Sequence, residues 1–166
     1  MPKRTRIAIA VAGFLGSTAA ILAMNTTGPI SASAHEDHGS FSAGEPGDPK
    51  KPARTIKVAM REDGKKMAFE PARIRVRKGE QIRFVLENEG TDDHEFVLAT
   101  PDENRKHAEL MKQFPDMEHD DPNAKRLAVG EHGEILWKFT KAGTFEFVCL
   151  IPGHREAGMV GKVVVK

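Results

Sequence analysis

The sequence predicts an all-β protein, a Greek-key β-sandwich of about seven to eight strands with a short helical insertion. Apolar and polar residues alternate with a period of two from Arg54 onward, as they do in half-buried strands. Turn sequences that contain glycine separate the alternating segments, and helical spacing is confined to one stretch, residues 101–123. Short strands in this number are typical of two packed antiparallel sheets.

The strand assignments follow from the side of the chain on which apolar residues fall. Phe145, Phe147 and Cys149 share one face, so we expect the Cys149 sulfur to point into the apolar interior. Turns are predicted at 78–80, 89–91 and 141–143. In chain order, the predicted strands are 55–60, 73–77, 82–87, 94–99, 125–129, 135–139, 145–149 and 161–166.

The insertion at residues 101–123 is predicted to contain a helix followed by an acidic loop. Acidic residues at its start suit the positive end of a helix dipole, and Pro115 ends the helical pattern. Leu110, Met111 and Phe114 recur at helical spacing. We expect these three side chains to pack the helix onto the sandwich.

Residues 1–34 have the pattern of a secretory signal peptide. Basic residues are followed by an apolar stretch and then by Ala32-Ser33-Ala34, an A-x-A cleavage sequence. The alternative is an uncleaved membrane anchor, because the apolar stretch approaches the ~20 residues of a spanning helix. We expect cleavage, export to the periplasm and no membrane association afterwards. Residues 35–53 are rich in Gly, Pro, Ser and charge and are predicted to form a flexible tail before the domain at 54–166.

Composition excludes several functions. The 25 Lys+Arg nearly balance the 24 Asp+Glu, which argues against nucleic-acid binding because phosphates require a concentrated basic surface. The single cysteine, Cys149, excludes an internal disulfide, a zinc ribbon, an iron–sulfur cluster and a dithiol redox motif. A metal site that needs one thiolate is compatible with this count.

Cys149, His154 and Met159 are spaced C-x4-H-x4-M between two predicted strands. His94, at the start of an earlier strand, is the fourth candidate ligand. Two imidazoles, one thiolate and a weakly bound thioether are the donor set of a blue-copper centre. Zinc accepts the same donors, but its closed structural sites usually contain more cysteine.

This segment resembles the cupredoxins, the small blue copper proteins related to plastocyanin and azurin. The resemblance lies in Gly143-Thr144-Phe145, Cys149, Pro152 and His154, followed by 157–163. It implies a cupredoxin-like sandwich that holds one type 1 copper. The implied equatorial ligands are His94, Cys149 and His154, and the implied axial ligand is Met159.

Three sequence departures from the plastocyanin pattern are visible. The gap of four residues between Cys149 and His154 is longer than in plastocyanin and is similar to that of azurin-like proteins. Glu95 follows the first histidine, where the family often has an asparagine that pins the two ligand loops together. Val148 stands where plastocyanins carry an aromatic residue before the cysteine.

The resemblance implies a monomeric one-electron carrier that cycles between Cu(I) and Cu(II) with a redox partner protein. An enzyme is not expected, because a copper oxidase needs His-x-His clusters and the chain has none. The alternative is copper tolerance, sequestration or delivery with a copper-handling partner, since the chain is similar to bacterial periplasmic cupredoxins implicated in copper tolerance. Extra histidines and methionines favour this alternative, because both side chains suit copper. The candidate secondary ligands are His35, His38, His107, Met111, Met117 and His119.

Overall fold

The computed structural model describes residues 41–114 and 121–166. The predicted signal peptide lies outside these residues, as do His35, His38, Met117 and His119. The described residues form ten strands and one helix, and none of their helices is long and apolar enough to cross a membrane. In chain order they are β1 Glu45–Pro46, β2 Arg54–Asp63, β3 Lys66–Glu70, β4 Arg73–Val76, β5 Gln81–Asn88, β6 His94–Ala99, α1 Pro101–Gln113, β7 Ala124–Leu127, β8 His132–Lys138, β9 Gly143–Val148 and β10 Val160–Val165.

The strands form two five-stranded sheets, which confirms the all-β sandwich. The first sheet has the order β1-β8-β5-β2-β3, and the second has the order β4-β10-β9-β6-β7. Two pairs, β2 with β5 and β10 with β4, are parallel, and the other pairs are antiparallel. The strand count exceeds the prediction because β1 and β3 were not expected. β1 has only two residues, both exposed, and β3 has five, of which Phe69 is the one fully buried side chain.

Aromatic side chains fill the space between the sheets. Phe96 and Phe147 stack with ring centroids 5.0 Å apart, and Phe69 meets Phe147 edge-on at 5.1 Å. Such contacts add to the free energy gained by removing the rings from water. Cys149 and Met159 belong to this same cluster of buried residues. The candidate metal ligands therefore lie at one end of the main core.

The expectation of a tail without a core does not hold for residues 41–53. Ala43 is only 1% exposed, and its carbonyl accepts a hydrogen bond from the Trp137 indole nitrogen at 3.3 Å. Phe41 packs edge-on against the same ring, with centroids 5.3 Å apart. Gly44, at φ +142°, lets the chain pass close to β8, because a Cβ there would lie 2.1 Å from the Lys138 carbonyl oxygen. Apolar burial against Trp137 thus anchors a segment whose composition suggested disorder.

Helix α1 was predicted correctly, but the side chains that attach it to the sandwich were predicted only in part. Thr100 caps its N-terminus in a reciprocal arrangement with Glu103. Met111 is fully buried, whereas Leu110 and Phe114 are 49% and 56% exposed. Successive helical residues are rotated by about 100°, so Leu110 points away from the face that carries Met111. Met111 packs in a second small cluster with Val97, Val148 and Leu150.

Candidate metal centre

Three side chains from separate parts of the second sheet converge at one end of the sandwich. His94 begins β6, Cys149 follows β9, and His154 lies in the loop between β9 and β10. The Nδ1 atoms of His94 and His154 are 3.2 Å apart, and the Cys149 Sγ lies 3.4 Å from the His154 Nδ1. One donor atom from each residue lies within 4.8 Å of the others. Pairing of β6 with β9 brings together residues that are more than fifty positions apart in the chain.

Met159, the fourth predicted ligand, lies directly before β10. Its backbone carbonyl accepts a hydrogen bond from the Cys149 N–H at 3.2 Å. Its own N–H donates to the His154 carbonyl at 3.0 Å. The side chain is fully buried in the main core together with that of Cys149. These backbone hydrogen bonds hold Met159 next to both Cys149 and His154.

Cys149 is fully buried, and its sulfur has a polar contact. The Glu95 N–H donates to the Cys149 Sγ at 3.3 Å. Since the backbone makes this contact, the replacement of the usual asparagine by Glu95 does not remove this link between the ligand loops. Burial raises the pKa of the Cys149 thiol to about 12. A metal must therefore displace a proton from the sulfur, because the thiolate is the form that binds.

His94 is fully buried, and its two ring nitrogens face different groups. Its Nδ1 points toward His154, while its Nε2 lies 2.9 Å from the Glu62 Oε1. A carboxylate can only accept here, so the Nε2 carries the proton and the Nδ1 keeps a free lone pair. The hydrogen bond from the Thr91 side chain lowers the pKa of Glu62, which favours its charged form.

Glu62 was not among the predicted site residues. The signal was present, since Val58, Met60 and Glu62 fall on the same side of β2 and the first two are core residues. A carboxylate in an inward-facing register requires polar partners. Asn88 was also missed: it is 1% exposed, and its side-chain NH2 donates to the carbonyls of Asp92 and Leu127 at 2.9 and 3.1 Å. It holds the loop that leads into His94.

His154 is the partly exposed member of the group. Burial lowers the pKa of His154, and the neighbouring His94 lowers it further. The neutral imidazole is therefore favoured near pH 7, and this is the form that binds a metal. The ring extends from the buried sulfur toward the protein surface.

The donor set fits a copper ion. Imidazole nitrogens bind zinc at about 2.0–2.1 Å, and two of them at an angle of about 100–110° on an ion with similar bond lengths would be roughly 3.1–3.4 Å apart. The separation of 3.2 Å between the two Nδ1 atoms lies in this range. Copper would be held by His94, Cys149 and His154, with Met159 adjacent, and would supply one-electron redox chemistry.

Among the described residues, the predicted secondary ligands His107 and Met111 do not form a metal site. His107 and Met111 share one side of α1, but Met111 lies in the small apolar cluster. Within residues 41–114 and 121–166, the group formed by His94, Cys149 and His154 is the one set of histidine, cysteine and acidic side chains close enough to hold a metal. Ligation by the four candidates outside these ranges stays a prediction.

Comparison with known proteins identifies the family. The family described as copper binding proteins, plastocyanin/azurin family, matches residues 56–166. The chain belongs to this family.

Individual relatives agree with that assignment. The chain is 50% identical over 158 residues to the copper-resistant cuproprotein CopI of Rubrivivax gelatinosus, which covers 95% of this chain and 94% of the relative. It is 32% identical over 177 residues to the copper-resistant cuproprotein CopI of Pseudomonas aeruginosa. This match covers 89% of this chain and 95% of the relative. Among solved structures, auracyanin B matches with a TM-score of 0.61 and 24% identity, over 77% of this chain and 99% of that one. The last comparison supports the fold alone.

Proposed function

We propose that this protein binds one copper ion through His94, Cys149, His154 and Met159 and serves copper tolerance in the periplasm. The observation that carries the proposal is the convergence of two Nδ1 atoms and one sulfur at 3.2 and 3.4 Å. A buried thiol beside two imidazoles provides both a strong donor for Cu(II) and a soft donor for Cu(I). The site can therefore retain copper in either oxidation state.

Tolerance is favoured over electron carriage by the relatives. Two of them carry the name copper-resistant cuproprotein, and their matches extend over nearly the whole chain. Sequestration needs tight binding, which burial of three of the four ligands supports. A copper-handling protein of the same compartment is the proposed partner.

One-electron transfer is the second candidate function. It is favoured by the position of His154, which is partly exposed while His94, Cys149 and Met159 are fully buried. An imidazole at the surface offers a short route for an electron to a redox partner. The same copper would serve both functions.

Copper binding is tested by titrating the purified protein with Cu(II) and recording its visible spectrum. We expect an intense thiolate-to-copper absorption that saturates at one equivalent. The Cys149→Ser variant should lose this absorption while its thermal unfolding stays cooperative. A wild-type protein that gains no such absorption would overturn the proposal.

The two functions are separated by deleting the gene in its host. We expect poor growth in excess copper and normal respiratory or photosynthetic electron flux. The wild-type gene should restore growth, and the Cys149→Ser gene should not. Impaired flux with normal copper tolerance would replace the tolerance proposal by the electron-carrier function.

A further inference from the structure

Glu62 contacts the candidate metal centre from the opposite sheet. It lies near the end of β2 in the first sheet, whereas His94 begins β6 in the second sheet. The two side chains meet through the Nε2–H of His94, which donates to the Glu62 Oε1 at 2.9 Å. The other nitrogen of the same ring is the proposed metal donor. A negative charge is thus placed one imidazole away from the metal position.

The Glu62 carboxylate is held firmly in place. The N–H groups of Thr91 and Asp92 donate to its Oε1 at 3.1 and 3.0 Å, and the Thr91 hydroxyl donates to its Oε2. The side chain is 12% exposed, and the His94 side chain is fully buried. Three hydrogen bonds from the 91–92 segment therefore orient a nearly buried anion toward the ring, and the His94 Nε2–H adds a fourth.

Gly90 closes the remaining space over this contact. A Cβ at Gly90 would lie 2.6 Å from the Glu62 Oε1 and 2.8 Å from the His94 Nε2. Both distances are too short for a real carbon atom, so any side chain at this position would push the pair apart. The backbone of the 89–92 loop packs directly on the carboxylate–imidazole pair.

We propose that Glu62 is a positioning residue that fixes the His94 tautomer and selectively stabilises bound Cu(II) through the His94 ring. This inference deepens the proposed function and rests on copper binding at the site. A hydrogen-bonded carboxylate raises the basicity of an imidazole ligand and orients it. The stronger donor favours the more highly charged ion, so the affinity for Cu(II) rises more than the affinity for Cu(I).

The test is the Glu62→Gln variant of the purified protein. The side-chain oxygen of glutamine can keep the three hydrogen bonds to Oε1, and its NH2 can donate to the Thr91 hydroxyl, so the shape is retained and the charge is removed. Dissociation constants for Cu(II) and Cu(I) are measured separately by chelator competition, and the reduction potential is measured by voltammetry. We expect Cu(II) binding to weaken roughly 10–100-fold while Cu(I) binding changes little. Each tenfold rise in the ratio of Cu(I) affinity to Cu(II) affinity raises the reduction potential by about 59 mV.

A matched control removes a carboxylate of the same sheet that does not contact the ligands. Glu134 on β8 pairs with Arg83 at 2.7 Å and is half exposed. The Glu134→Gln variant should keep the wild-type ratio of Cu(II) to Cu(I) affinity and the wild-type potential. If Glu62→Gln weakens the affinities for Cu(II) and Cu(I) equally, or leaves the reduction potential unchanged, the inference is overturned. Glu62 would then have a structural role only.

A second variant and a metal-free measurement keep the test independent of copper loading. Gly90→Ala should shift the potential in the same direction as Glu62→Gln, because it separates the pair without changing charge. In the metal-free protein, nitrogen NMR should report the proton of His94 on Nε2, and Glu62→Gln should weaken this preference. A proton on Nδ1 in the wild type would overturn the inference. Failure of the wild type to bind copper would instead refute the proposed function.

Discussion

The ligand loop and helix α1 both carry histidine and methionine, yet among the described residues only the ligand loop belongs to a group close enough to hold a metal. At the ligand end, the candidate donors come from the start of β6 and from the segment between β9 and β10, and backbone hydrogen bonds link Cys149, His154 and Met159 to one another. On α1, His107 and Met111 lie one turn apart on one element, and the thioether is enclosed by aliphatic side chains. Convergence of separate strands, rather than the presence of suitable side chains, creates the site.

The largest difference between the regions should follow from removing one imidazole from each. His94→Ala should weaken Cu(II) binding by more than the roughly 10–100-fold typical of an outer partner, because it deletes a direct donor. His107→Ala should leave the affinity and the stoichiometry of copper unchanged. Chelator competition on both variants checks the contrast. A loss of bound copper in His107→Ala would show that α1 also contributes a ligand.

The second contrast concerns the methionine of α1. Met111→Ala should lower the free energy of unfolding by about 2–5 kcal/mol, since it leaves a cavity in the small apolar cluster. Copper stoichiometry should not change. Urea unfolding of the metal-free protein measures the effect, with Leu110→Ala as the matched control. Leu110 is 49% exposed, so its truncation should cost about 0.5 kcal/mol or less.

Substitution of Met159, the methionine at the ligand end, should change the reduction potential of bound copper and have little effect on stability. Met159→Leu keeps the volume of the side chain, so stability should change by less than about 1.5 kcal/mol. Loss of the thioether should raise the reduction potential, with the affinity ratio of Cu(I) to Cu(II) rising on the order of tenfold. Voltammetry of the copper-loaded variant checks this. An unchanged potential would mean that the buried Met159 side chain only fills the core.

The smallest expected effect concerns the cap of α1. Thr100→Ala removes a side-chain acceptor for the Glu103 N–H and should cost about 1 kcal/mol of stability. Thr100→Ser should recover most of that loss, because it keeps the hydroxyl. The absorption of bound copper should be the same in both variants. A spectral change would indicate that the position of α1 affects the ligand loop.

Much of this architecture is encoded in local sequence patterns. The alternation through Ile82, Phe84 and Leu86 predicts a buried face, and all three side chains are fully buried. The C-x4-H-x4-M spacing predicts the ligand loop because its residues are close in the chain. The partner of His94 could not be read this way, since Glu62 is 32 positions away and meets it across the two sheets. Short-range patterns reveal elements, whereas contacts between sheets depend on the completed fold.

The same distinction explains the segment before β2. Composition between residues 41 and 53 suggests a chain without a core, because glycine, proline and charged residues dominate it. Phe41 and Ala43 attach it to a large indole ring on β8, and β1 pairs with the same strand. The position of that ring is set by pairing of β8 with β5, which the composition of the segment does not reveal.

Trp137 also gives the molecule a built-in optical reporter. The chain has one tryptophan and no tyrosine, so its near-ultraviolet emission comes from this one ring. The ring is fully buried, and its indole N–H donates a hydrogen bond to the Ala43 carbonyl. Detachment of residues 41–46 would expose the indole to water and shift its emission to longer wavelength. Fluorescence can therefore follow docking of this segment separately from the visible absorption of the copper.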